Sequence, residues 1–192
     1  MKDNSGWYHI DTNGTPIYTE RYTKAFGFYN SRAAVIAKDR WFHINTNGSR
    51  VYSKHYKWCG NYQEEICSVR TKNGAYFHIN LDGKKCYPES YHYAGDFKYG
   101  FACVMNDQQL FTHINKAGKY LHGKWFLDLG VYHKGFATTR DASGWFHIDF
   151  KGKAIYEHRL KLVEPFYNGW AFGETKNGRK CIVSEEGEIL EF

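Results

Sequence analysis

One short motif recurs six times along this chain, and the spacing of its copies constrains the fold more than any other feature. The clearest copies read Trp7-Tyr8-His9-Ile10-Asp11 and Trp41-Phe42-His43-Ile44-Asn45. The copies begin at residues 7, 41, 76, 111, 145 and, in a degenerate form, 180, so the steps are 34, 35, 35, 34 and 35 residues. A constant period of this length is typical of chains that stack one supersecondary unit.

Two residue types mark the copies, which we number 1 to 6. A histidine occupies the third position of copies 1 to 5, and a glycine ends the turn after every copy. These repeated residues are His9, His43, His78, His113, His147, Gly14, Gly48, Gly83, Gly118, Gly152 and Gly187. We expect a single repeat domain, residues 1–192, with units of approximately 1–32, 33–66, 67–101, 102–136, 137–170 and 171–192.

The local pattern of each unit predicts three short strands. The first resembles Ile66–Val69, the second is the Trp-Phe-His-Ile motif, and the third resembles Ser49–Tyr52. An Asx-x-x-Gly turn joins the second strand to the third, because the Asx side chain caps its own backbone and glycine accepts a positive φ. The chain is 19% aromatic, with 19 Gly and only 3 Pro, as expected for strands joined by tight turns.

These units predict an all-β fold of tandem 34–35-residue repeats. Both faces of the second strand carry large apolar groups, so neighbouring units must cover one another. We expect a propeller-like ring of five or six small three-stranded blades, and an open stacked β-repeat array is the alternative. The repeated Trp, Phe and Ile positions are expected in the core.

The array resembles the WG-repeat family of bacterial proteins. That family's unit reads Trp-Gly-Tyr-Ile-Asp-x-x-Gly, and the motif copies match its Trp at Trp7, Trp41 and Trp145. This chain is an atypical member, because Trp-Phe-His-Ile replaces Trp-Gly-Tyr-Ile. The resemblance implies a repeat module, often one part of a larger bacterial protein. It implies no activity and no catalytic residues.

The repeated histidines invite a comparison with metal ligands, because His-x-Asp places two side chains on one face of a strand. A catalytic or metal site is normally single, however, whereas this pair of His and Asp or Asn recurs in copies 1 to 5. We therefore interpret the histidines as structural residues, each bonded to a neighbouring unit's backbone or carboxylate. Asp11-Thr12-Asn13-Gly14 lacks most ligands of a calcium loop and is interpreted as a turn.

Composition narrows the class of protein further. No nucleophile elbow, phosphate loop or dinucleotide motif is present, so no enzyme activity, catalytic residue, cofactor or metal is expected. The net charge of +6 favours acidic partners only mildly. The five cysteines form no Cys-x-x-Cys pair and read as free thiols. No signal peptide or membrane-spanning run is visible, so a cytoplasmic location and no membrane partner are expected.

Binding is expected where the copies diverge, because diverging positions escape the common folding requirement. The segments after the third strand carry aromatic residues among cations, a mixture enriched at binding sites. The candidate binding residues are Arg21, Lys24, His55, Trp58, Tyr93, Trp125 and Arg159. We expect a binding or scaffolding module with a protein partner. Carbohydrate is the second candidate, and nucleic acid is the third.

Overall fold

The computed structural model describes residues 1–192 and contains eighteen strands and no helix. The chain therefore has no helix that could cross a membrane. It divides into two compact units, Met1–Phe97 and Lys98–Phe192. Unit 1 contains β1 (Lys2–Asp3), β2 (Gly6–Trp7), β3 (Lys24–Tyr29), β4 (Arg32–Ala37), β5 (Arg40–Asn45), β6 (Trp58–Cys59), β7 (Ile66–Arg70), β8 (Tyr76–Asn80) and β9 (Tyr93–Ala94). Unit 2 contains β10 (Phe101–Met105), β11 (Phe111–Asn115), β12 (Asp128–Leu129), β13 (Ala137–Asp141), β14 (Gly144–Ile148), β15 (Leu162–Val163), β16 (Trp170–Glu174), β17 (Lys180–Ser184) and β18 (Ile189–Glu191).

Unit 1 is built from small antiparallel sheets. The strands β3, β4 and β5 form one three-stranded sheet, and β6, β7 and β8 form the next. In the second sheet Arg70 pairs with Trp58 on one side and with Tyr76 on the other, so these three residues form a row across the sheet. The short strands β1 and β2 form a separate hairpin.

Unit 2 repeats this arrangement. The strands β10 and β11 form a hairpin, and β12, β13 and β14 form a three-stranded sheet. The last sheet has four strands in the order β15-β16-β17-β18. The all-β fold of small, mostly three-stranded sheets that the repeat predicted is therefore confirmed.

The central strand β4 is covered on both faces. In β4 the side chains of Ala33 and Val35 join one apolar cluster, while Ala34, which points the opposite way, joins another. Neighbouring sheets in each unit thus bury one another, as expected for strands too short to be stable alone.

The turn after each motif copy folds through local hydrogen bonds. In copy 2 the Oδ1 atom of Asn45 accepts hydrogen bonds from the backbone N–H groups of Asn47 and Ser49, both at 3.0 Å. Gly48 then adopts a φ of +80°, a left-handed conformation that favours glycine. The other copies share this geometry, with Ser184 replacing the Asx residue in copy 6.

The turn glycines also make contact with the preceding copy. The Gly83 backbone lies so close to the Tyr52 ring that a methyl group on Gly83 would sit 2.1 Å from a ring carbon. Gly48 lies in the same way against Tyr18, and Gly187 against Tyr156. Glycine is therefore required here both by its φ and by the tyrosine of the copy before it.

In copies 1 to 5 the segment after the motif turn does not supply the third strand that the sequence predicted, whereas in copy 6 it does, because β18 pairs with β17. Residues Ser49–Tyr52 do not form a strand, because a single isolated bridge, between Ile44 and Arg50, pairs their backbone with β5. Its two hydrogen bonds run from the Asn45 N–H to the Ser49 carbonyl and from the Val51 N–H to the His43 carbonyl. The third strand comes instead from the segment interpreted as a linker, for example β6. After the turn the chain leaves the sheet, and the tyrosine side chain folds back towards the histidine.

Candidate functional site

The repeated histidines use both ring nitrogens inside their own copy. In copy 2 the His43 Nε2 atom lies 2.9 Å from the Gly60 carbonyl oxygen, and Nδ1 lies 2.6 Å from the Tyr52 hydroxyl. The same two partners, a side chain nine residues later and a carbonyl seventeen residues later, recur for His9, His78, His113 and His147. By the copy boundaries given above both partners fall in the same copy, but the carbonyl lies on the neighbouring sheet, because Gly60 follows β6 and its N–H donates to the Ser68 carbonyl of β7.

These contacts determine the protonation state of each ring. A carbonyl oxygen can only accept, so Nε2 carries the hydrogen, and a neutral ring then offers Nδ1 as the acceptor for the tyrosine hydroxyl. Burial, opposed by the carbonyl bond, lowers the pKa of His43, His78, His113 and His147 to about 4. The rings are thus neutral at pH 7, and both nitrogens are occupied.

Copy 4 keeps the same pattern of hydrogen bonds with a different side chain. His122 stands where the other copies have tyrosine, and its Nε2 lies 3.3 Å from His113 Nδ1. His122 Nδ1 accepts a hydrogen bond from the Lys124 backbone N–H at 3.2 Å, so its Nε2 is free to donate. No group of three or more His, Cys, Asp or Glu side chains is placed to hold a metal ion.

Two of the seven candidate binding residues serve the fold. The Arg21 guanidinium binds Asp3 at 2.9 Å, donates to three loop carbonyls and covers the Tyr8 ring at 3.8 Å. Arg159 repeats this pattern with Asp141 at 2.8 Å and with the Phe146 ring at 3.6 Å. Both guanidinium groups are therefore committed to contacts within the chain.

Three other candidates come together on unit 1. Five aromatic rings form a continuous chain of contacts, which we call the aromatic ladder: Phe26, Trp41, Trp58, Tyr76 and Tyr93. Successive ring centroids are 5.1, 6.5, 6.1 and 5.7 Å apart. The sequence predicted Trp58 and Tyr93 in this set, and Lys24 lies beside it, with Nζ 5.1 Å from the Phe26 ring.

The ladder is partly exposed to solvent along its length. Tyr93 is 42% exposed, and Phe26, Trp41, Trp58 and Tyr76 are half-buried. Two cations flank the rings, because Lys24 lies over Phe26 and the Arg70 guanidinium lies 5.6 Å from the Tyr76 centroid. A partly exposed row of aromatic rings with neighbouring cations has the composition of a binding surface.

Sequence reasoning missed three members of the ladder. It assigned the motif position of Trp41 and Tyr76 to the core, yet both side chains are half-buried and lie between the rings of diverging residues. Phe26 was not singled out because β3 bulges between Ala25 and Phe28 and breaks the simple alternation there. The pairing of Trp58 and Tyr76 with Arg70 is a signal that sheet register supplies and sequence spacing does not.

The remaining candidates lie apart from the ladder. His55 is exposed beside a cavity formed by basic residues. Trp125 belongs to unit 2, is half-buried and packs edge-on against Tyr120 at 5.5 Å. The structure thus brings Lys24, Trp58 and Tyr93 to one surface and places the other four elsewhere.

The fold is similar to those of several solved structures. The match to BamB from Moraxella catarrhalis has a TM-score of 0.52 at 11% identity and covers 93% of this chain and 65% of that chain. The computationally designed Ika8 protein matches with a TM-score of 0.51 at 10% identity, covering 93% of this chain and 64% of the other. Kluyveromyces lactis Hsv2p matches with 0.52 at 8% identity, covering 85% and 62%. The chain spans less than two thirds of each.

At these identities the likeness concerns the fold alone, and that fold is of the β-propeller class. No curated protein matches the chain in sequence. The family described as WG containing repeat matches residues 10–41, from the first motif copy to the start of the second. A repeat module with a propeller-like fold fits a binding or scaffolding role. The resemblance to the WG repeats is thus confirmed over residues 10–41.

Proposed function

We propose that this chain is a non-catalytic protein-binding module and that the aromatic ladder of unit 1 receives a segment of the partner protein. The observation that carries the proposal is the unbroken chain of five partly exposed rings. Trp and Tyr are the residues most enriched among those that dominate protein interfaces, because they bury a large area with few rotatable bonds.

The cations beside the ladder indicate the charge of the partner segment. Lys24 and Arg70 lie over rings of the ladder, and neither makes an ion pair. A segment that combines apolar or aromatic side chains with Asp or Glu would satisfy the rings and the cations together. We therefore expect an acidic, partly apolar segment.

Carbohydrate is the second candidate, because partly exposed rings also stack on sugars. The ring geometry favours protein. Phe26 and Trp41 are nearly parallel at 19°, but the next three pairs are tilted by 47°, 55° and 54°. Tilted neighbours form a ridged surface instead of a flat platform for a sugar ring.

The chain's thiols support a cytoplasmic site of action. All five cysteines are free, and four of them are buried. Burial raises the pKa of Cys59 and of Cys103 to about 12, so these thiols stay protonated and unreactive. Buried free thiols are typical of proteins kept in a reducing compartment.

Selection from a displayed peptide library tests the proposal directly. We expect wild-type protein to enrich peptides that combine Asp or Glu with aromatic or aliphatic residues. Trp58→Ala should weaken the binding of the selected peptides at least about tenfold, the loss that a central interface residue produces. Trp58→Phe, which keeps a ring, should retain most of the affinity and shows that the variant surface folds.

The matched control is an exposed aromatic residue of unit 2. Tyr167 is 61% exposed and lies outside the ladder, so Tyr167→Ala should bind the peptides as wild type does. Equal losses from both alanine variants would contradict the ladder as the binding surface. Binding to a glycan array that depends on Trp58, with no peptide enriched, would replace protein with carbohydrate as the partner.

A further inference from the structure

A second surface of unit 1 carries a cavity with an unusual charge. The cavity has a volume of about 370 Å³ and opens between the β4–β5 turn, the segment before β6 and the β7–β8 turn. We call it the basic pocket. Its lining is Lys38, Asp39, Arg40, His55, Tyr56, Lys57 and Lys72.

The charges in the basic pocket are not compensated from within the chain. Lys38, Arg40, Lys57 and Lys72 make no ion pair, and Asp39 is the one carboxylate in the lining. Partial loss of hydration and the positive charges of Arg40, Lys72 and Arg50 lower the pKa of His55. The pocket therefore has a positive potential that repels a further proton.

The repeat itself shows what other copies place at these positions. In copies 1 and 5 an arginine stands fourteen residues after the first residue of the motif, and an aspartate stands four residues before that first residue. The two side chains form the ion pairs Arg21–Asp3 and Arg159–Asp141. Copy 2 has His55 in place of the arginine and Ala37 in place of the aspartate. One internal carboxylate is thus absent from the basic pocket.

A second carboxylate of copy 5 is also replaced in copy 2. The matching cavity of copy 5, about 310 Å³ in volume, contains Lys161 and Lys176 at the positions of Lys57 and Lys72. There Lys161 binds Glu174 at 2.5 Å. The residue that corresponds to Glu174 in the basic pocket's sheet is Arg70, a cation. Copy 2 therefore keeps both lysines and lacks the carboxylate that pairs with the first of them in copy 5 as well as the aspartate that pairs with the arginine.

We propose that the basic pocket binds a phosphate group, which takes the place of the two carboxylates that copy 2 lacks. A phosphate offers three acceptor oxygens and up to two negative charges, which suit a ring of Lys and Arg donors. The cavity is larger than one phosphate ion, and its volume is within the range of small-molecule sites. A phosphate ester, free or on a partner's side chain, therefore fits better than a bare ion.

Titration with pyrophosphate at constant ionic strength, followed by amide chemical shifts, tests the site. We expect saturable shifts at residues 38–40, 55–57 and 72. The double variant Lys57→Gln/Lys72→Gln should bind at least about tenfold more weakly. The matched double variant in unit 2, Lys161→Gln/Lys176→Gln, should bind as wild type does.

A variant that restores the missing ion pair tests the site independently. The variant Ala37→Asp/His55→Arg restores the pair seen in copies 1 and 5, so it should fold and bind pyrophosphate at least about tenfold more weakly. Shifts that grow linearly without saturation, or equal losses from the two lysine double variants, would overturn the site, because both indicate only non-specific attraction to basic residues.

A phosphorylated peptide and its unphosphorylated form distinguish a modified partner protein from a free phosphate compound as the ligand. A phosphoserine peptide that binds at least tenfold more tightly than pyrophosphate, and whose unphosphorylated form does not bind, assigns the site to a modified partner. Equal binding of pyrophosphate and the phosphopeptide assigns it to free phosphate compounds. Because the peptide selection on the aromatic ladder depends on Trp58 and not on Lys57 or Lys72, failure of one site is distinguishable from failure of the other.

Discussion

Acidification from pH 7 to pH 5 is expected to unfold this protein, or to lower its melting temperature by at least about 15 °C. The cause is four buried histidines, His43, His78, His113 and His147, whose pKa burial lowers to about 4 in the folded chain. An unfolded histidine has a pKa of about 6.5. The unfolded chain therefore binds more protons than the folded chain between these two values.

The sign and size of the effect follow from this difference. A base whose folded pKa is depressed contributes its stability above the unfolded pKa and loses it as the pH falls towards the folded pKa. At pH 5 the loss is about 2 kcal/mol for each histidine, or about 4 kcal/mol in each unit, since each holds two of them. That loss corresponds to at least about 15 °C for a unit of this size.

Other groups modify this result little. Burial raises the pKa of Asp96, so protonation of this carboxylate stabilises the folded chain as the pH falls. This single group opposes four histidines. The arginine-paired Asp3 and Asp141 have lowered pKa values and stay ionised throughout the window. The predicted loss of stability therefore belongs to the histidines.

Thermal melts at pH 7, 6 and 5 measure the change in stability, and proton NMR of the ring Cε1–H groups identifies its source. Four of the ten histidines should keep the chemical shift of a neutral ring at pH 5.5 while the protein is folded. A melting temperature that changes by less than 5 °C, or ten histidines that all titrate between pH 6 and 7, would contradict the neutral buried ring.

Features of the chain that fold through near neighbours could be predicted from the sequence. The turn of copy 2 needs only Asn45, two backbone N–H groups and Gly48, all within five residues, so its spacing alone specified it. The histidine column was visible for a similar reason, because its partner Tyr52 stands nine residues later and keeps the same period. Residues that every copy needs for folding recur at the repeat period, so the sequence alone identifies them.

Features that depend on sheet pairing were harder to predict. The third strand was assigned to Ser49–Tyr52, whereas the observed strand Trp58–Cys59 pairs with residues of β7 that lie ten and twelve residues further along the chain. Because the sequence does not show the sheet register, Phe26, Trp41 and Tyr76 were not predicted at the binding surface, although Trp58 and Tyr93 were predicted there from their divergence. Sequence variation located the surface, and only the sheet register showed which repeated rings complete it.

The two structural arginines carried a signal that sequence reasoning could have used. Arg21 and Arg159 each stand eighteen residues after an aspartate, Asp3 and Asp141, at matching positions of their copies. A pair of opposite charges that recurs at one spacing in two copies indicates a contact. Where His55 replaces the arginine, the aspartate is also absent, and that joint loss produces the basic pocket.

Replacing Gly83 with alanine is expected to cost about 3–4 kcal/mol of folding stability, whereas the same change at Gly14 should cost about 1 kcal/mol. Both glycines end the same turn with similar φ values, +75° and +82°, so both variants pay the cost of a left-handed alanine, about 1–2 kcal/mol. They differ in surroundings. A methyl group on Gly14 meets nothing within 4 Å, but on Gly83 it would lie 2.1 Å from the Tyr52 ring.

The additional cost at Gly83 is therefore the overpacking of one copy against the next, typically about 1–3 kcal/mol. Denaturant unfolding of both variants separates this cost from the backbone cost that they share. A double-mutant cycle with Tyr52→Ala identifies its source, because removing the ring should make the second substitution cheaper by about 1–3 kcal/mol. Equal losses at Gly14 and Gly83 would show that the turn needs glycine only for its φ, and that the tyrosine of one copy does not pack on the turn of the next.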